Sequence, residues 1–358
     1  MAQPIKEVIK SEYIKCAQDP AYFMKKYCMI QHPIRGKIPF ELYDFQDKVV
    51  GEFAKERFNV ILKARQLGIS TLTAGYSLWM MTFQQDKNIL VIATKQEVAK
   101  NLVTKVRVMH ANLPSWLKQR CVEDNKLNLR YRNGSQIKAV SSGPEAARSE
   151  ALSLLILDEA AFIDKIDDIW TAAQSTLTTG GQCIALSTPN GVGNWFHKTW
   201  VEAEEGRGMF NTIKLHWTVH PDREQAWRDE QDTLLGIGNA AQECDCDFLT
   251  SGTSVIDATL LDNLRTRCVQ DPMERRGIDS NCWVWEPPNY SKTYVVSADV
   301  GRGDSADYSA FHVIDVDNLE QVAEYKGKIN TKDFGNMLVS IATEYNDAIL
   351  IIENNNIG

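Results

Sequence analysis

The chain of 358 residues has no run of about 18 consecutive apolar residues, so none of it reads as a membrane-spanning helix. Its start, Met1-Ala2-Gln3-Pro4-Ile5-Lys6, lacks the apolar stretch of a secretory signal, and a cytosolic compartment is expected. An excess of basic charge is missing too. With 39 Lys and Arg against 47 Asp and Glu, the net charge of −8 excludes a surface coated in positive charge and confines any contact with a polyanion to local clusters. The eight cysteines form no Cys-x-x-Cys pair; several, such as Cys183 and Cys282, lie in apolar stretches, and no disulfide is assigned. Cys244-Asp245-Cys246 reads as structural, with a zinc site as the alternative. No internal repeat or low-complexity tract is present. Apolar content, in contrast, is ample: at 44% hydrophobic, the length fits about two domains of ~150 residues, each with a core of its own.

The stretch Leu155-Ile156-Leu157-Asp158-Glu159-Ala160-Ala161-Phe162 carries the most chemistry. A buried strand ending in two carboxylates can hold Mg²⁺ through Asp158 and let Glu159 polarise a water attacking a γ-phosphate. An apolar strand with a solvated Asp-Glu turn has the same pattern, so the context upstream decides. There Asn59-Val60-Ile61-Leu62 runs into Lys63-Ala64-Arg65-Gln66-Leu67-Gly68-Ile69-Ser70-Thr71 and then into a helix over Leu72 through Phe83. Strand, loop and helix in this order are the setting of a phosphate loop. The standard expression nevertheless fails twice, with Lys63 in place of the first Gly and Ile69 in place of the Lys. The physical requirements survive: Gly68 admits a close backbone approach, the helix start offers free N–H groups, and Ser70 or Thr71 supplies a hydroxyl for a metal. The missing cation must come from Lys63 or Arg65.

Together these segments resemble the large terminase subunit of tailed bacteriophages, over nearly the whole chain. The family's deviant phosphate loop is similar to Arg65-Gln66-Leu67-Gly68, and its Walker B segment to Leu154 through Glu159. Its coupling motif resembles Leu186-Ser187-Thr188-Pro189-Asn190-Gly191, and its adenine-side motif resembles Leu42-Tyr43-Asp44-Phe45-Gln46. Hydroxyls on Ser187 and Thr188 can sense loss of a γ-phosphate by exchanging a hydrogen bond. Gln46 can read an adenine edge while Tyr43 or Phe45 stacks on the base. Ile69 departs from those members that keep a Lys there. Arg148, in Gly143-Pro144-Glu145-Ala146-Ala147-Arg148, suits a finger inserted into a neighbouring subunit, although a solvated Arg fits equally.

The resemblance implies an α/β fold: a RecA-like ASCE phosphate-loop ATPase with a small lid, followed by a partial RNase H-like segment. It implies ATP and Mg²⁺ as cofactors, with Mg²⁺ or Mn²⁺ for a nuclease. It implies double-stranded DNA, the portal protein and the small terminase subunit as partners, a homo-oligomeric ring, and no membrane. The place of action would be the cytoplasm of the infected bacterial host, docked transiently at the procapsid portal.

The expected organisation is a helix-rich lead-in over 1–57, an ATPase core over 58–217, a lid over 218–255, a connector over 256–290 and the RNase H-like segment over 291–358. In that last segment the pattern predicts strands over Tyr294–Asp299, Phe311–Val316 and Gln321–Lys328, a helix over Thr331–Asn346 and a strand over Ala348–Glu353. Neighbouring strands would bring Asp299 and Glu353 together as metal ligands. The family's Gly-Arg-Gly plus acid is similar to Gly301-Arg302-Gly303 with Asp304 and Asp307. Because the fold normally needs a fifth strand and a third acid, the metal site is expected to be incomplete. For contact with DNA, local basic clusters exist at Lys100, Lys105 and Arg107 on a helix, and at Arg130, Arg132 and Lys138 around an Asn133-Gly134 hairpin turn. Two further readings stay open: a nucleotide-binding interaction module without hydrolysis, and a helicase-type DNA remodeller. Glu159 separates the first from a motor, since a module that only binds has no use for a carboxylate that activates water.

Overall fold

The computed structural model describes residues 5–142, 151–178, 180–248, 267–277, 279–301 and 308–353. The chain divides into two units, Met1–Leu260 and Leu261–Gly358.

The first unit opens with helices α1 (Ile5–Gln18) and α2 (Pro20–Tyr27), a hairpin of β1 (Met29–His32) and β2 (Gly36–Pro39), and α3 (Asp44–Lys55). Asp19 starts α2 by accepting a hydrogen bond from the Tyr22 N–H at 2.9 Å, with Pro20 as the first helical residue. Strand and helix then alternate through β3 (Phe58–Lys63), α4 (Ile69–Phe83), β4 (Asn88–Ala93) and α5 (Gln96–Asn112). A meander follows, of β5 (Cys121–Asp124), β6 (Asn128–Tyr131) and β7 (Gln136–Val140). The chain returns to the sheet as β8 (Leu154–Asp158), α6 (Ile166–Leu177), β9 (Gln182–Ser187), α7 (Trp195–Glu204) and β10 (Asn211–Leu215).

These strands form one sheet in the order β10-β3-β9-β8-β4-β7-β6-β5. From β10 to β7 every pairing is parallel, and only the pairings of β6, with β7 and with β5, are antiparallel. A parallel sheet is covered on both faces, which is why its strands read as unbroken apolar runs. Leu154, Leu155, Ile156 and Leu157 are all completely buried, and at about 1.5–3 kcal/mol per large apolar side chain such burial outweighs any preference of these residues for a helix. Helix α4 is buried almost all round, from Leu72 through Thr82. It begins at Ile69, three residues before the apolar pattern predicts, because Gly68 takes the left-handed conformation (φ 74°) and turns the chain into the helix at once.

After β10 the chain forms α8 (Gln225–Leu235), α9 (Ile237–Ala240) and a π-helical turn over Ala241–Asp245. Arg228 fastens these together, its Nε and one Nη reaching the two carboxylate oxygens of Asp245 at 2.8 and 2.7 Å. Cys246 is buried and its Sγ lies 3.4 Å from the Leu215 carbonyl, which fits the structural reading of the Cys-x-Cys pair.

The second unit is a sheet in the order β11 (Glu274–Arg276), β12 (Cys282–Val284), β15 (Glu320–Gly327), β14 (Ser309–Asp315), β13 (Tyr294–Asp299) and β16 (Ile349–Ile352), with α10 (Thr331–Glu344) between β15 and β16. Strands β13, β14 and β15 are antiparallel, and β16 lies parallel to β13. Three antiparallel strands, a helix and a strand parallel to the first are the opening of an RNase H-like fold, within two residues of the expected boundaries. Burial alternates along β13 and β14, as it does where one face of a sheet is solvated.

The Asn133-Gly134 turn joins β6 to β7 as expected, and Asn133 ties it to the end of α4 by donating to the Met81 and Gln84 carbonyls at 2.9 and 3.1 Å. Gly134 has φ 86°, and a Cβ there would lie 1.9 Å from Asp86 Oδ1. Gly134→Ala is expected to destabilise the first unit by about 1–3 kcal/mol, the cost of the left-handed backbone plus the displaced Asp86. Urea unfolding checks this, and a variant within 0.3 kcal/mol of the parent would refute it.

Candidate nucleotide-binding site

The register of the parallel strands assembles the site. Ser187 on β9 stands level with Leu62 on β3, and Leu186 stands level with Asp158 on β8. One further step along each strand brings Lys63, Ser187-Thr188 and Glu159 to the same sheet edge. Lys63 is buried, and its Nζ lies 3.0 Å from Glu159 Oε1. The other carboxylate oxygen of Glu159 faces the Ser187 hydroxyl and the Thr188 N–H, each at 3.5 Å. Ser187 Oγ also accepts from the Ala161 N–H at 3.1 Å, which locks the hydroxyl beside the acid. Glu159 itself has φ 56°, and Gln66 in the loop has φ 59°. Left-handed backbone costs a residue with a side chain about 1–2 kcal/mol, so the loop and the acid both hold strain of the kind found at functional sites.

Asp158 is buried, and its Oδ1 accepts from Ser70 Oγ at 3.1 Å. Burial, and then the neighbouring Glu159 charge, push its carboxyl above the usual carboxylate range, against the pull of Lys63, the Ser70 hydrogen bond and Lys105. A buried carboxylate beside a hydroxyl is a hard-oxygen donor set that a divalent cation would stabilise, so the residues present fit Mg²⁺. The loop between Lys63 and Thr71, together with Glu159 and Lys105, lines a cavity of about 190 Å³ at the start of α4, where free N–H groups favour an anion.

Gln46 serves the loop as well. Its Nε2 donates to the Leu67 carbonyl at 2.9 Å, and its Oε1 accepts from the Tyr43 N–H at 3.2 Å. Both ends of the amide are therefore engaged within the chain, so Gln46 fastens the adenine-side segment to the loop. Tyr43 is half exposed and stacks on Phe45 with ring centroids 5.7 Å apart and an interplanar angle of 7°.

Arg65 is more exposed than Lys63 (62% against 6% of the side chain) and faces Glu243 Oε1 at 3.5 Å. Its N–H donates to the Glu243 carbonyl at 2.7 Å, while Arg223 donates to the Arg65 and Gln66 carbonyls at 3.0 and 3.2 Å. The lid thus grips the phosphate loop by backbone and side chain. Sequence reasoning missed Glu243 and Arg223, and also His220, whose ring lies 4.6 Å from Tyr43; none belongs to a motif.

The basic cluster on α5 is not one face. Lys100 pairs with Glu97, Arg107 with Asp124, and Lys105 lines the loop cavity. Arg130 and Arg132 are exposed on the hairpin. Arg148 and Asp307 lie outside the described residues. In the second unit the pairing of Ala298 with Ile352, extended by the Glu353 N–H donating to the Ala298 carbonyl at 3.0 Å, sets Asp299 and Glu353 side by side at the ends of β13 and β16. Among the described residues, no group of three or more metal-ligating side chains assembles.

The order β10-β3-β9-β8-β4, with the phosphate loop after β3, one strand inserted between β3 and the acidic strand β8, and Glu159 directly after Asp158, defines a RecA-like phosphate-loop protein of the ASCE type. A family model described as "Terminase large subunit, T4likevirus-type, N-terminal" matches residues 60–262, more than half of the chain. The chain belongs to that terminase large subunit family. It is 29% identical over 191 residues to the terminase large subunit of Thermus virus P23-45, covering 49% of this chain and 36% of that protein. It is 26% identical over 251 residues to a probable terminase large subunit of Escherichia phage Mu, covering 60% of this chain and 45% of that one. The match thus spans less than half the length of either relative. The crystal structure of the HK97 bacteriophage large terminase superposes with a TM-score of 0.55 at 15% identity, over 94% of this chain and 74% of the other, which establishes the shared fold.

Gly68 leaves no room for a side chain, since a Cβ would lie 2.7 Å from Gln46 Nε2 and φ is 74°. Gly68→Ala is expected to weaken ATP binding by about tenfold or more and to destabilise the first unit by about 1–2 kcal/mol, the cost of the left-handed backbone. Unchanged affinity in a fluorescent-nucleotide titration would refute this role for the glycine.

Proposed function

We propose that the first unit binds ATP with Mg²⁺ and hydrolyses it to move double-stranded DNA during packaging of a viral genome. The observation that carries this is Glu159, held on one oxygen by Lys63 and on the other by the coupling pair Ser187 and Thr188. An interaction module that only binds nucleotide needs no acid so positioned; a hydrolase does, because the carboxylate must accept a proton from the attacking water. When bound, Mg²⁺ neutralises charge on the β- and γ-phosphates, and Asp158 with Ser70 would hold it.

In this reading the loop N–H groups from Gly68 to Thr71 bind phosphate oxygens, and Gln66 contributes from the loop. Arg65 exchanges Glu243 for the phosphates, to which its planar fork can bind through two hydrogen bonds. Lys63 keeps its place beside Glu159 as a positioning residue. Tyr43 and Phe45 stack on the base. Ser187 and Thr188, already touching Glu159, transmit the loss of the γ-phosphate to the acid. Around one duplex, copies of this chain would form a ring at a portal protein with the small terminase subunit, and Arg148 would serve a neighbour's site. The second unit, with Asp299 and Glu353, would contribute to metal-dependent cleavage of DNA.

Glu159→Gln is expected to keep ATP affinity while turnover falls by about 10² to 10⁴, the usual loss on removing a general base. In the same steady-state assay, with and without double-stranded DNA, Arg65→Ala should abolish hydrolysis and Lys63→Ala should reduce it less. Unimpaired turnover in Glu159→Gln would overturn the assignment of the base. For the second unit, Asp299 and Glu353 by themselves would hold at most part of a two-metal cage. Plasmid nicking with Mg²⁺ or Mn²⁺ is therefore expected to be feeble or absent, and efficient nicking lost on Asp299→Ala would show that the cage is complete.

A further inference from the structure

Three cationic side chains line the cavity at the phosphate loop: Lys63, Arg65 and Lys105. The first two are engaged, Lys63 with Glu159 at 3.0 Å and Arg65 with Glu243 at 3.5 Å. Lys105 reaches the cavity from α5, and besides Glu159 it is the one lining residue that comes from outside the loop. It is half-buried. Among the described residues, no acid lies within ion-pair distance of its ammonium and no hydrogen bond is made to it. The other α5 cations, Lys100 and Arg107, each have an acidic partner. Burial lowers the pKa of Lys105, with the Asp158 charge acting against that shift and the Lys63 charge adding to it. An ammonium drawn partly out of water without a partner is costly, and the cost is offset only when an anion arrives.

The loop has a matching deficiency. Ile69, buried at the first position of α4, stands where the standard loop carries its phosphate-binding Lys. We propose that Lys105 supplies that cation from α5, its ammonium contacting an oxygen of the terminal phosphate of a bound nucleoside triphosphate. The terminal phosphate is the relevant one because Lys105 shares the cavity with Glu159, and Asp158 is among the charges it senses. The inference rests on the reading of the first unit as an ATPase. It adds a residue from a helix that no nucleotide motif includes, and it gives the site a means of distinguishing a triphosphate from a diphosphate.

The test compares the parent chain with Lys105→Met, which keeps the length of the side chain without its charge, and with Lys105→Arg. Affinities for a non-hydrolysable ATP analogue and for ADP are measured with Mg²⁺, together with kcat and the melting temperature without nucleotide. For Lys105→Met, affinity for the triphosphate should fall by about tenfold or more, as on loss of a charge-assisted hydrogen bond, while ADP affinity holds within about twofold. Its kcat should fall by about 10², its melting temperature without nucleotide should be no lower than the parent's, and Lys105→Arg should recover part of the preference for triphosphate. Near-parental triphosphate affinity and kcat in Lys105→Met would overturn the proposal, as would an equal loss for ATP and ADP with a lowered melting temperature, which marks a structural role. A parent chain that neither binds nor hydrolyses ATP would instead overturn the ATPase reading, and this proposal with it.

Discussion

The parallel register of β3, β9 and β8 is the constraint on which the site depends. Because side chains alternate along a strand, a slip of one residue between any two of these strands would turn Lys63, Ser187 or Glu159 away from the common edge. The burial of both sheet faces prevents such a slip: all of Leu154–Leu157 and nearly all of β3 and β9 are inaccessible to water. Apolar packing far from any polar chemistry therefore sets the distance between the loop cation and the acid.

The resulting arrangement is electrostatically close to balance but not at rest. Lys63 offsets Glu159, while Asp158, beside Glu159 and deep in the sheet, bears the cost of burial. Two residues with side chains, Gln66 and Glu159, hold left-handed backbone at the same edge. Strain and uncompensated charge of this kind persist only where the surrounding structure leaves no alternative. Here the sheet fixes one side of the loop and the lid fixes the other, through Arg223 and Glu243.

How much of this the sequence shows depends on the range of the interaction. Segments with strong local patterns are legible: the apolar strand before Asp158, the loop around Gly68, the Asn133-Gly134 turn, and the strand-helix-strand succession that brings Asp299 beside Glu353. The start of α4 is less so, because a positive φ at Gly68 outweighs the weak helix preference of Ile69, Ser70 and Thr71. Gln46 shows another limit. Its place after two aromatics points to an adenine edge, and nothing in that pattern shows that the same amide also donates to the Leu67 carbonyl and accepts from the Tyr43 N–H, contacts made by the packing of α3 on the loop. Glu243 and Arg223 lie more than 150 residues beyond the loop they hold, and no spacing rule links residues so far apart.

The α5 cluster shows why composition misleads at a site. Lys100, Lys105 and Arg107 look alike as a run of basic residues on one helix. The helix rotates about 100° per residue, so Lys100 and Arg107, seven positions apart, lie within about 20° of one another, whereas Lys105 is about 140–160° from both: Lys100 and Arg107 meet acids, and Lys105 lines the cavity at the phosphate loop. Charge at a nucleotide site is thus set by what the sheet and helices converge on, and a loop that lacks its usual lysine need not lack a cation. The phosphates require positive charge within reach, and several elements around the same sheet edge are in a position to present it.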